Sequence, residues 1–262
     1  MTVKESKMGF GWRIYGLGIM ALGLASLVFG EFDPGQSVPE HFPYRTFLAY
    51  VVGTFMVVAS AAIEWRRTLL WGAAALTGYY VVFVLLLMDA RLLLTDYAVY
   101  GTYESIAMQL AIAASGLIVC ATVAQSDLQM PAELAGRLSG IGRFAFGVCT
   151  LIWVGAHFVY MNLTAPLIPK WLPPGQVFWG SVTGVCFIAA GLAILTGVKS
   201  RLAAILLTVM IASFGVLANG LALVADHSGS WNWTESALNL ALIGGAWVIA
   251  DSLGGLGVGY VT

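Results

Sequence analysis

Long apolar runs dominate the chain. Runs of mainly apolar residues recur at about 10–30, 46–63, 68–88, 104–125, 143–160, 177–197, 200–225 and 234–252. Most approach the roughly 20 residues that an α-helix needs to cross a bilayer. The runs are continuous rather than alternating, which excludes the strands of a membrane β-barrel. The pattern predicts an all-α polytopic membrane helix bundle with eight transmembrane helices. Lys4 and Lys7 precede the first run, as in a secretory leader. That run is too long and lacks a clean cleavage site, so a retained helix is expected.

Composition agrees. Hydrophobic residues make up 60% of the 262 and charged residues 10%, against about 25% charged in soluble domains. A net charge of −1 gives no basic surface for nucleic acid. The charges are sorted by position. Lys4, Lys7, Arg13, Arg66, Arg67, Arg137, Arg143, Lys199 and Arg201 fall on one side of the eight-span map, and Arg45, Arg91 and Lys170 on the other. The basic side should be cytoplasmic. Both termini are then cytoplasmic, in the inner membrane of a bacterium. Eight acidic residues, from Glu31 to Glu235, fall on the outer side. Cys120, Cys149 and Cys186 lie in apolar runs without a CxxC pattern. They read as buried structural thiols, with no zinc or Fe–S site.

The halves of the chain resemble each other. Glu104-Ser105 opens the fourth run and Glu235-Ser236 the eighth, 131 residues later; Gly53 and Gly184 share that offset. The pattern predicts two four-helix repeats, 1–126 and 143–262, joined by a cytoplasmic linker at 127–142. An even number of spans per unit makes the repeats parallel. Glu31 is expected to stand where the second repeat has His157.

Residues 155–204 carry GAHF at the end of the fifth run, IPKWLP in the loop, a small-residue-rich AAGLAIL helix and a basic turn at Lys199. In these features the chain resembles the DoxX family of small membrane proteins, well over 143–252 and weakly over 10–125. The resemblance implies a four-helix membrane unit. Some relatives are named for a thiosulfate:quinone oxidoreductase and act beside other chains; others are associated with thiol or oxidative stress.

Ionisable groups inside a span are functional candidates by default. His157 is the histidine that falls in a span, and suits proton exchange or anion binding. The alternative is a histidine bonded to its neighbouring loop. A bis-His haem is excluded, because His41 and His227 lie in loops. Glu235 and Asn239 share a face of the eighth helix at i, i+4, and Asn219 lies near the same depth on the seventh. Ser105 and Gln109 repeat that spacing in the fourth helix, after Glu104. Helix capping competes for Glu104 and Glu235, and helix–helix hydrogen bonding for Asn239 and Gln109. Trp171 marks an aromatic outer loop. Asp89 and Arg91 are expected to pair locally or face solvent, and Trp12 to anchor the interface.

The leading expectation is a subunit or accessory component of a membrane redox complex, with partners in or on the bilayer. Any site is expected at the outer face of the second repeat. The alternatives are a quinone-linked oxidoreductase subunit with its own quinone site, a non-enzymatic scaffold, and a small-molecule transporter. No covalent cofactor or metal is expected, and no complete catalytic constellation is visible.

Overall fold

A computed structural model describes residues 9–254. Lys4, Lys7 and the tail after 254 lie outside the described residues. The eight long helices are α1 Gly11–Phe29, α2 Arg45–Glu64, α3 Leu69–Thr95, α4 Tyr100–Asp127, α5 Ala132–Phe158, α6 Gln176–Thr196, α7 Ser200–Ala225 and α8 Ser230–Gly254. All are long and apolar enough to span a membrane. No strand occurs among the described residues. Long loops gather at one end of the bundle, here the loop end. Arg66, Arg67, Lys199 and Arg201 mark the opposite, basic end.

Two boundaries differ from expectation. α3 continues to Thr95, about two turns beyond the apolar run. Part of it, Tyr80–Asp89, is π-helical. α5 begins at Ala132, so the expected linker 127–142 shrinks to a break at 128–131. Glu133 and Arg137 pair at i, i+4 on its exposed first turns, which supports helix where apolar residues are sparse.

The helices form a ring in chain order, each packed on the next, and α8 closes on α1. α4 and α8 also touch across the middle. Exchanging each helix with the one four places later maps these neighbours onto themselves. The offset of 131 residues holds in detail. α2 and α6 begin at Arg45 and Gln176, and α3 and α7 at Leu69 and Ser200. Gly16 faces Ile63 and Glu64, while Gly147 faces Ile194 and Leu195. α7 has its own π-helical stretch, Gly215–Gly220, inside the segment that corresponds to Tyr80–Asp89. One correspondence changes. Gly53 packs on Ser26 and Gly184 on His157, so Ser26, not Glu31, is the counterpart of His157.

Small residues set the central spacing. Lipid tails are as apolar as Leu, so helices associate in a membrane through close packing. A Cβ at Gly18 would strike the backbone of Ala241, and one at Gly244 the backbone of Tyr15. Gly245 faces the Ser115 hydroxyl. α4 and α8 therefore bury most of their surface with Ala, Ser and Gly. Large apolar side chains such as Phe47, Val58, Leu86, Val209 and Val224 stay on the outside, as lipid contact requires. Cys149 is buried as expected, but Cys186 is exposed on this outer surface. Trp12 is buried rather than interfacial.

Exposed ion pairs lie at the basic end. Arg66 grips Asp127 at 3.0 Å, and Arg13 reaches Glu64 at 3.8 Å. Such pairs add little each. The glycine contacts should matter more. Gly18→Leu or Gly244→Leu must part α1 from α8, at about 1–3 kcal/mol or more. Gly78→Leu, with nothing within 4 Å of an added Cβ, should be neutral. Thermal unfolding in detergent distinguishes the two classes.

Candidate functional site

The segment between α1 and α2 lies partly inside the bundle. Helix α1 ends at Gly30, whose φ of +67° turns the chain back toward the bundle. Phe32, Asp33, Gln36 and Val38 are then all buried. Pro34–Gln36 forms a single 3-10 turn capped by Asp33. Asp33 Oδ1 accepts from the Gly35 N–H at 3.1 Å, as Asp commonly does in turns.

Side chains from three helices hold this turn. Gln109 Nε2 of α4 donates to Asp33 Oδ2 at 3.3 Å. The Ser105 hydroxyl donates to the Gly35 carbonyl at 3.3 Å. From α3, the Tyr79 hydroxyl donates to Gln36 Oε1 at 3.0 Å. Gln36 Nε2 points at the Met56 sulfur of α2, 3.8 Å away. Gln109 lies about 14 Å along α4 from its loop end, at 1.5 Å per residue. Non-helical backbone at such depth is tolerated where protein or a water-filled cavity surrounds it. A Cβ at Gly35 would meet the Gln109 amide, so a larger residue there would push that side chain away from Asp33.

Several polar atoms here have no partner. Asp89 is 1% exposed, and neither of its carboxyl oxygens has a hydrogen-bond partner. The Tyr80 hydroxyl and Gln109 Oε1 are likewise buried and unpaired. Three further carboxyls lie toward the loop end: Asp33 in the turn, Glu104 near the start of α4 and Glu235 near the start of α8. Among the described residues none of these four carboxyls makes an ion pair. Phe32, Phe83, Tyr79 and Phe55 form aromatic walls, with Tyr79 stacked on Phe83 at 5.4 Å. At the loop end a cleft of about 210 Å³ is lined by Ser37, Pro39, Met88, Arg91, Leu92 and Thr95; Asp89 follows its Met88 wall in sequence but does not line it. The expected Asp89–Arg91 pairing is absent: the helix continues, turning Asp89 inward while Arg91 stays exposed.

The sequence-derived candidates divide. Gln109 joins the site through Asp33, while among the described residues no hydrogen bond ties the Glu104 or Glu235 side chain to it. Glu31 is exposed and accepts from the Ser230 hydroxyl at 2.7 Å. Asn219 Nδ2 donates to the Glu235 carbonyl at 3.3 Å, linking α7 to α8. Asn239 Oδ1 is buried without a partner beside Gly215. His157 is 6% exposed, with Nδ1 3.0 Å from the Thr183 hydroxyl and its ring against Phe187 and Phe214. No hydrogen bond among the described residues ties it to Glu235, Asn219 or Asn239. Trp171 is 69% exposed, away from these groups. Among the described residues no three His, Cys, Asp or Glu side chains converge to hold a metal.

The buried polar cluster thus lies in the first repeat. Asp33, Gln36, Tyr79, Tyr80 and Asp89 are the members that sequence patterning did not single out. Their counterparts at the 131-residue offset are Thr164, Leu167, Met210, Ile211 and Gly220. Gln109 corresponds to Leu240 and Asn239 to Met108, so these two amides are not equivalent in the repeat. No protein-family model matches the chain, and no curated protein or solved structure matches it.

Burial pushes the Asp33 carboxyl above its ordinary range, against the opposing bonds from Gly35 and Gln109. A carboxyl raised in the folded state favours folding at acid pH and loses that contribution as pH rises. Asp33→Asn should therefore match the wild type at low pH. It should become the more stable protein as pH rises past about 4, the ordinary carboxylate value. Thermal unfolding measured across pH checks the sign.

Proposed function

We propose that the chain is a DoxX-like component of a membrane redox complex, whose first repeat receives the head of a quinone-class ligand. The observation that carries this reading is an open cleft with both apolar and donor walls, one residue along the helix from the buried Asp89. Ligand sites of this kind are mainly apolar, with a few directed polar groups. Met88 and Leu92 offer the apolar surface, while Arg91, Ser37 and Thr95 offer donors to carbonyl oxygens. Quinone and quinol interconvert with proton transfer, and Asp33, Asp89, Glu104 and Glu235 are groups able to exchange protons there. The basic end faces the cytoplasm of a bacterium in this reading, and the site opens toward the outer side.

Protein purified in mild detergent should carry extractable quinone and retain a partner subunit. Arg91→Ala should weaken binding of a short-chain quinone analogue by about tenfold, the loss of one charge-assisted hydrogen bond. Absence of quinone, together with unchanged binding in Arg91→Ala, would overturn the reading.

A second reading is proton-coupled transport of a small molecule. The re-entrant turn favours it, because transporters place irregular backbone and unpaired acids at membrane depth. Uptake into proteoliposomes driven by a pH gradient, and lost in Asp33→Asn, would select it over the first.

A further inference from the structure

The repeat holds the same element in two arrangements. At the 131-residue offset the turn Pro34–Gln36 corresponds to Ala165–Leu167, and both are single 3-10 turns. The first copy is docked in the bundle and the second is not. Phe32 is 3% exposed and Gln36 1%, whereas their counterparts Leu163 and Leu167 are 64% and 60% exposed. The Thr164 hydroxyl, at the place of Asp33, donates to the Ala156 carbonyl of the preceding helix. Ser236, at the place of Ser105, donates within α8 to the Asn232 carbonyl at 2.7 Å. Among the described residues no hydrogen bond joins Ala165–Leu167 to α7 or α8.

Both copies share one seat, covered in two ways. In the first copy the turn segment covers Met56 and Phe83. Gln36 Nε2 lies 3.8 Å from the Met56 sulfur, and the Phe32 and Phe83 ring centres are 6.4 Å apart. The counterparts of Met56 and Phe83 are Phe187 and Phe214. There His157 covers both, with ring centres 5.3 and 6.3 Å away. The first copy has Ser26 at the place of His157, and Gly53 and Gly184 make room for the two Cβ atoms alike. A turn fills the seat in one copy and a side chain of the preceding helix fills it in the other. Where His157 fills it, the turn stays outside.

We propose that segment 32–38 is a lid on this seat, able to leave for the exposed position that 163–169 holds in the second copy. Its hold is modest. Three hydrogen bonds of 3.0–3.3 Å, from Tyr79, Ser105 and Gln109, tie it to α3 and α4. Bonds of this kind add little net each, and burying the Asp33 carboxyl opposes them. Gly30, with φ +67°, gives the segment a hinge at its start. Undocking frees the Tyr79 hydroxyl and Gln109 Nε2. It also leaves the seat open, because the Ser26 side chain is too short to replace the turn as His157 does.

The lid adjoins the site of the preceding reading but does not require its ligand. The test is hydroxyl-radical footprinting of the whole protein in lipid nanodiscs, free of quinone. Mass spectrometry reads oxidation at Phe32 and Met56, scaled to the reactivity of each residue type. Tyr15 and Phe146, both fully buried, report on the bundle itself. Tyr79→Phe and Gln109→Leu should each raise oxidation of Phe32 and Met56 about fivefold, the population change that one lost hydrogen bond gives. Tyr15 and Phe146 should stay protected. Ser26→His sets the second copy's side chain in the seat and should expel the lid. Phe32 then becomes as accessible as Leu163, while Met56 stays covered by the new imidazole. If Ser26→His fails to fold, Tyr79→Phe, which removes one hydroxyl, carries the test. Phe32 as protected as Phe146 in every folded variant overturns the lid, and so does a rise only in step with Tyr15. Bound quinone with Phe32 always protected refutes the lid alone. An accessible Phe32 in a protein that binds no quinone refutes the quinone reading alone.

Discussion

The backbone-to-backbone approach of α1 and α8, at Gly18 and Gly244, is the contact on which the bundle depends. It joins the first and last helices and so converts a row of eight into a ring. A ring of eight alone would leave its middle unfilled. α4 and α8 fill it, and their Ala, Ser and Gly positions let them come close. The two halves are therefore interlocked rather than docked side by side. The last helix of each packs on the first helix of the other.

That arrangement leaves room for an irregular turn among α2, α3 and α4. Burying backbone and amide groups away from water is costly unless each finds a partner. Ser105, Gln109 and Tyr79 meet that demand for Gly35, Asp33 and Gln36. The turn is well satisfied, while the groups around it are not. Asp89, Tyr80 and one side of Gln109 stay unpaired. Polar demand is thus met at the turn's own contacts and left open at its edge.

Apolar runs and the uneven spread of Lys and Arg made the eight spans legible, because lipid imposes length and composition directly. Helix ends were harder. Asp89 and Arg91 interrupt the apolar pattern of α3, yet backbone hydrogen bonding carries the helix past them. Gly16 and Gly147 keep the repeat offset because each must fit the same neighbours. The site was legible in part. Glu104, Gln109 and Glu235 stood out as polar residues in apolar helices. Asp33-Pro34-Gly35-Gln36 reads as an ordinary surface turn, since local turn chemistry is the same in water and inside a bundle. The available hint was its setting between Phe32 and Val38. His157 drew attention by type, but its partners, Thr183 and two Phe rings, come from helices remote in sequence.

The repeat is symmetric in its skeleton and asymmetric in its chemistry. Where the first half has Asp33, Gln36, Tyr80, Asp89 and Gln109, the second has Thr164, Leu167, Ile211, Gly220 and Leu240. The consequence is one of stoichiometry. Two copies of the unit yield one buried polar turn, held within the first copy. A ligand that used this centre would therefore meet it once per chain, where a symmetric pair of units would offer two. In the other half, three of these five positions carry aliphatic side chains, one a hydroxyl and one glycine.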